Sequence, residues 1–118
     1  MGTTRRKSGL SPRDLEHFIA VLEERRRLKV ATIEHLRREA VEDAALEDET
    51  TVPVARGTAE LERAEYAELS RVNEALRRII EGTFGLCEDC AGPIGRDRLE
   101  LLPTTSRCVE CQERAEAA

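Results

Sequence analysis

The chemistry of this chain is concentrated in Cys87, Cys90, Cys108 and Cys111, its only cysteines, spaced C-x2-C-x17-C-x2-C. Each C-x2-C pair can direct two thiolates at one ion. The seventeen intervening residues suffice to fold the second pair back onto the first. That spacing fits a structural site for one zinc ion with four sulfur ligands. Disulfides are the competing reading. The sequence opens without a secretory signal, and the reducing cytosol this implies disfavours them. A redox C-x2-C pair is a further alternative, although two copies flanking a knuckle-like turn favour metal. A closed four-ligand site leaves no position for an activated water. His17 and His35 lie far in sequence from the cysteines and read as surface residues. With no Ser–His–acid arrangement and no Gly-rich phosphate loop, no enzyme is expected.

The elements that must position these thiols are helical. Of the 118 residues, 36% are charged and only 3% aromatic (Phe18, Tyr66 and Phe84). Such a composition cannot build a large globular core, and it suits long amphipathic helices with solvated outer faces. The formal net charge of −5 argues against a general nucleic-acid binder. No apolar run approaches the ~20 residues that a membrane span needs. A soluble, cytoplasmic protein is the expectation. The basic cluster Arg5-Arg6-Lys7 reads as part of a disordered tail over residues 1–10.

A first helix is predicted from Ser11, with Ser11 as cap, Pro12 at the first helical position and Asp14 in the first turn. Leu15, Ile19, Leu22, Ile33, Leu36 and Ala40 follow 3/4 spacing as a seam, interrupted by Arg26 and Lys29. The helix should continue to about Leu46, roughly 50 Å at 1.5 Å per residue. Thr50, Thr51, Val52 and Pro53 break the pattern, and the break ends at Gly57. A second helix is predicted from near Thr58, with a seam of Leu69, Val72, Leu76 and Ile79, stopping at Gly82. Two helices with one seam each should fold as an antiparallel hairpin over 11–82, its tip near 47–57. The charged runs Glu23–Arg27 and Glu74–Arg78 read as solvated surface.

Residues 83–118 then form the cysteine module. Gly92 and Gly95 would permit turns that bring amides to the thiolates. Ile94, Leu99, Leu101 and Leu102 are the expected apolar cover of the site. Gln112 to Ala118 could add a helical turn or two. So short a segment has too little core to fold alone, so folding should be coupled to zinc.

Gly82-Thr83-Phe84-Gly85-Leu86-Cys87-Glu88-Asp89-Cys90, then Gly92-Pro93-Ile94-Gly95, Arg98-Leu99-Glu100, Pro103 and Cys108-Val109-Glu110-Cys111-Gln112 resemble the TraR/DksA zinc-finger family. The preceding hairpin agrees in placement and length. The resemblance implies a mainly α protein in which a zinc-stabilised globular end carries a long antiparallel coiled coil. It implies binding to bacterial RNA polymerase, insertion of the coiled coil into the secondary channel, and altered initiation, often with the alarmone ppGpp. One departure concerns the tip. The family's Asp-x-x-Asp-x-Ala motif would fall near Val52, Ala55 and Gly57, none of them acidic. Asp43, Glu47, Asp48 and Glu49 lie slightly earlier, and either solvate a helix end or replace the missing pair.

Two other classes remain open on the sequence. A zinc-finger nucleic-acid binder could use Arg96, Arg98 and Arg107 on phosphates, yet residues 83–118 hold four Arg/Lys against seven Asp/Glu. A structural or oligomerisation module would pair its helices between chains, whereas the hairpin reading gives a monomer without sequence-specific DNA contacts.

Overall fold

The computed structural model describes the backbone of residues 8–45 and 54–117, and the side chains of residues 8–42 and 59–117. Its elements are α1 (Pro12–Ala45), α2 (Val54–Glu81), α3 (Arg96–Leu101) and α4 (Val109–Ala117). The molecule is a rod with a thickened base, 65 × 34 × 23 Å.

α1 starts where capping chemistry dictates. The Ser11 hydroxyl accepts from the Asp14 amide at 3.1 Å, and the Asp14 carboxylate accepts from the Ser11 amide at 2.9 Å. This reciprocal box satisfies two helix-end donors at once, and Pro12 at the first helical position has none to lose. α2 ends as glycine chemistry dictates. Gly82 takes φ +81°, and the amides of Thr83 and Phe84 both reach back to the Arg78 carbonyl. The start of α2 differs from expectation. Helix begins at Val54, directly after Pro53, and Gly57 lies inside it. Proline is compatible with a helix start, and one internal glycine costs only about 1 kcal/mol.

α1 and α2 run antiparallel. Lys29 pairs with Glu65 at 3.1 Å and Arg37 with Glu62 at 3.9 Å, so positions rise on one helix as they fall on the other. Phe18, Leu22, Ile33 and Leu36 are buried on α1, against Val72 and Ala75 on α2. The expected seam therefore needs one correction: Ile19 is 36% exposed and its neighbour Phe18 is fully buried. A 15-18-22 spacing fits the interhelical stripe as well as 15-19-22 does. The interruption at Lys29 is accommodated by its partly buried pairing with Glu65.

The base of the rod and the cysteine module share one core. Phe84, Cys87, Ile94, Leu99 and Cys111 cluster with Phe18, Leu22, Val72 and Ala75. Leu10 packs on the same cluster, and a side chain at Gly85 (φ +86°) would meet its Cδ1 at 2.8 Å. Ser8 to Leu10, assigned to the tail by sequence, thus lie against the finger. Arg78, read as surface, is half-buried and directs its guanidinium at the Thr104 and Thr105 carbonyls, 3.4 and 3.5 Å away. Burial pulls its pKa below the ordinary arginine value. Arg26 and Arg27 pair with Glu23 and Glu24, and Arg77 with Glu74, each along its own helix.

Candidate metal centre

Two knuckles carry the four thiols. In the first, a short antiparallel ribbon pairs Leu86 with Pro93, and the Cys87 amide donates to the Gly92 carbonyl at 2.8 Å. The turn between them points backbone donors at sulfur: the Asp89 amide lies 3.4 Å from Cys87 Sγ and the Gly92 amide 3.4 Å from Cys90 Sγ. The left-handed residue of this turn is Ala91, at φ +63°, rather than either expected glycine. Gly92 serves the site through its backbone, its amide facing Cys90 Sγ and its carbonyl accepting from the Cys87 amide. Gly95 does something else: at φ +102° it is the cap residue of α3, a helix the sequence reading did not anticipate.

The second knuckle is a helix start. α4 begins at Val109 rather than Gln112, and the Gln112 amide bonds the Cys108 carbonyl at 3.0 Å. Cys108 Sγ accepts from the Cys111 amide at 3.5 Å, so the sulfur caps α4 where the helix dipole favours an anion. The knuckles are tied together by the Glu88 amide on the Ser106 carbonyl at 2.8 Å, and by Arg107, whose Nε lies 2.9 Å from Asp89 and 3.3 Å from Glu88.

These elements bring all four Sγ atoms within 4.8 Å of one another, and all four thiols are free. A tetrahedral zinc site with bonds of about 2.3 Å requires sulfurs about 3.8 Å apart; Cys90 and Cys108 are 3.9 Å apart. Cys87 and Cys111 face the core, while Cys90 is exposed and Cys108 half-exposed. Burial pushes the Cys87 thiol up, yet the Cys108, Cys90 and Asp89 amides outweigh it and hold it down to about 6. Cys111 is pushed up to about 12, first by its hydrogen bond to Cys108, then by burial and the other thiols. Four thiolates so close together repel unless a cation neutralises them. The donor set is all sulfur and closed, which suits a structural zinc ion.

The apolar cover is half of what was expected. Ile94 and Leu99 are buried beneath the site, but Leu101 is 81% and Leu102 50% exposed. The short α3 buries only one face, and both leucines fall beyond it. His17 is exposed as expected, yet its Nε2 meets Glu100 at 3.1 Å, and Arg96 meets Asp14 at 3.3 Å, so α1 and α3 are joined at the surface. At the opposite end, Asp43 falls in the last turns of α1, outside the described side chains. Glu47, Asp48 and Glu49 lie outside the described residues altogether.

The family model of the prokaryotic dksA/traR C4-type zinc finger matches residues 82–117, the whole of this module. The similarity extends along the rod. The RNA polymerase-binding transcription factor DksA of Caulobacter vibrioides is 37% identical over 112 residues, 91% of this chain and 79% of the relative. The chain belongs to the DksA/TraR family. A second DksA, from Escherichia coli, is 30% identical over 86% of this chain and 71% of its own length. Among solved structures, transcription factor DksA2 from Pseudomonas aeruginosa superposes with a TM-score of 0.84 at 29% identity, covering 91% of this chain and 86% of that one. The family's C4 finger and the clustered thiols together identify zinc as the cofactor. These DksA/TraR relatives are named as transcription factors. Among the described residues, no helix is long and apolar enough to cross a membrane.

Proposed function

We propose that this protein is a zinc-dependent regulator of transcription that binds bacterial RNA polymerase, enters its secondary channel with the α1–α2 rod, and modulates initiation. The observation that carries this reading is the 37% identity to an RNA polymerase-binding transcription factor over 91% of the chain, rod and finger alike. In this reading Cys87, Cys90, Cys108 and Cys111 are the ligands of one structural zinc ion. The zinc supplies no catalysis, since four protein sulfurs would fill a tetrahedral shell. It holds the two knuckles, and through Cys87 and Cys111 the shared core, so that the base of the rod keeps its shape.

The protein acts by occupying space and presenting side chains rather than by chemistry of its own. It works in the cytoplasm as a monomer, its seam satisfied within one chain. It reads no DNA sequence, and the acidic finger opposes phosphate contact. Asp43, Glu47, Asp48 and Glu49 supply carboxylates near the tip, where an oxygen ligand could meet the magnesium shell of the polymerase active centre. The nucleotide ppGpp acts jointly with the protein at the complex. Native-gel titration of purified core polymerase with the full zinc-loaded chain tests the reading. A complex at micromolar protein is expected, and none at those concentrations would contradict it.

A further inference from the structure

Outside the shared core, the two cysteine knuckles meet through a cluster of polar side chains. The loop after α3 is anchored by Pro103, which is fully buried. Its far end is fixed through the Arg107 backbone. The Arg107 carbonyl accepts from Arg98 Nε at 3.0 Å and from the Thr105 hydroxyl at 3.2 Å, and that hydroxyl accepts from the Arg107 amide at 3.4 Å. From this held backbone the Arg107 side chain crosses to the first knuckle, where its Nε lies 2.9 Å from Asp89 and 3.3 Å from Glu88. Glu88 also accepts from the Ser106 hydroxyl at 3.0 Å.

An ordinary surface ion pair contributes little. Two features set this one apart. Arg107 Nε is shut off from solvent and has no aligned hydrogen bond, so it meets the carboxylates as a charge pair rather than through a directed bond. A buried donor left in this way costs stability, and folding alone does not explain it. The second feature is position. Asp89 directly precedes Cys90 and Arg107 directly precedes Cys108. Those are the exposed and half-exposed thiols, whereas Cys87 and Cys111 face the core. An ion held by all four leaves most readily by separation of the outer pair, and the Arg107 bridge spans that pair.

Charge gives the sign of the effect. Four thiolates around one divalent ion leave uncompensated negative charge, and emptying the site returns protons to the sulfurs. Glu88 and Asp89 alone would disfavour the loaded state, and a fixed guanidinium favours it. We propose that Arg107 is a positioning residue for the metal, a latch on Glu88 and Asp89 that holds the knuckles closed and sets how slowly zinc leaves. The inference rests on the four-cysteine zinc reading above. Partners that orient metal ligands from just outside the coordination shell commonly govern affinity in this way.

The test is the rate at which the full zinc-loaded protein yields zinc to excess chelator, followed with a colorimetric zinc dye. Arg107→Met keeps the aliphatic stem and removes the charge. Arg107→Glu and Asp89→Arg each oppose like charges, and Asp89→Arg/Arg107→Glu restores an opposite pair. Both side chains are partly exposed, so zinc content and helicity are expected to match the wild type and are measured first. Arg107→Met introduces no new charge and serves alone where a reversed charge disturbs folding. The expected result is roughly tenfold faster zinc loss in each single variant, with the charge-swapped protein within about twofold of the wild type. A role in packing alone would not be rescued by the swap. Arg107→Met within about twofold of the wild type, or no rescue in the swapped protein, overturns the inference and leaves the four-cysteine reading standing. Wild-type protein that holds no zinc overturns both.

Discussion

The rings of Phe18 in α1 and Phe84 at the start of the finger lie 5.5 Å apart between centroids, tilted by 50°. This contact joins elements 66 residues apart in sequence and makes the rod and the zinc module one cooperative base. Both side chains are essentially fully buried. Phe18→Ala or Phe84→Ala should cost about 3–5 kcal/mol by chemical denaturation. Either should also loosen zinc retention, because Cys87 and Cys111 share the cluster. An independent finger would leave zinc retention unchanged in Phe18→Ala.

Removal of the metal should act locally first. A strong chelator, or Cys111→Ser, is expected to dissolve the protection of residues 85–111 in hydrogen exchange while much of the α1–α2 helicity remains. X-ray absorption of the zinc-loaded protein should report four sulfur ligands and no nitrogen. Fewer than four sulfurs would displace the assignment.

The cap of α1 predicts a pH dependence. The Ser11 amide, followed by its hydroxyl and Arg96, holds the Asp14 carboxyl below its ordinary value of 3.8. A carboxyl depressed in the folded state contributes stability that is present above its unfolded pKa and lost as pH falls through its folded one. Ser11→Ala should cost about 1 kcal/mol at neutral pH. Asp14→Asn should reduce the part of the stability loss that occurs below about pH 4. An unchanged acid profile in Asp14→Asn would remove the carboxylate from this account.

The tip makes a separable prediction. Replacing Glu47, Asp48 and Glu49 together by alanine should abolish the effect on initiation in a purified transcription assay while polymerase binding persists. Normal regulation by that variant would reduce these carboxylates to solvation.

Much of this structure was legible because strong local chemistry marks it. Ser11, Pro12 and Asp14 specify where α1 starts and Gly82 where α2 stops, and the cysteine spacing admits few arrangements besides one shared site. What escaped was set by tertiary contact. Phe18 and Ile19 are both apolar neighbours, and only the approach of Phe84 decides which is buried. Leu101 and Leu102 look like core in sequence because a six-residue helix gives too little periodicity to orient them. Ala91 occupies a left-handed position that composition assigns to glycine, since the ribbon and the Ala91 amide bond to the Cys87 carbonyl hold it there. Asn or Gly at position 91 would have been a readable signal.

Entry of the rod into the polymerase is tested most directly by a photo-crosslinking side chain at Leu61. Leu61 lies on the outer half of α2 and is half exposed, so it can carry the probe without disturbing the seam. With the full zinc-loaded protein bound to core polymerase, crosslinks should map to residues lining the secondary channel. Absence of a complex, or crosslinks confined to the outer surface of the enzyme, would contradict the account.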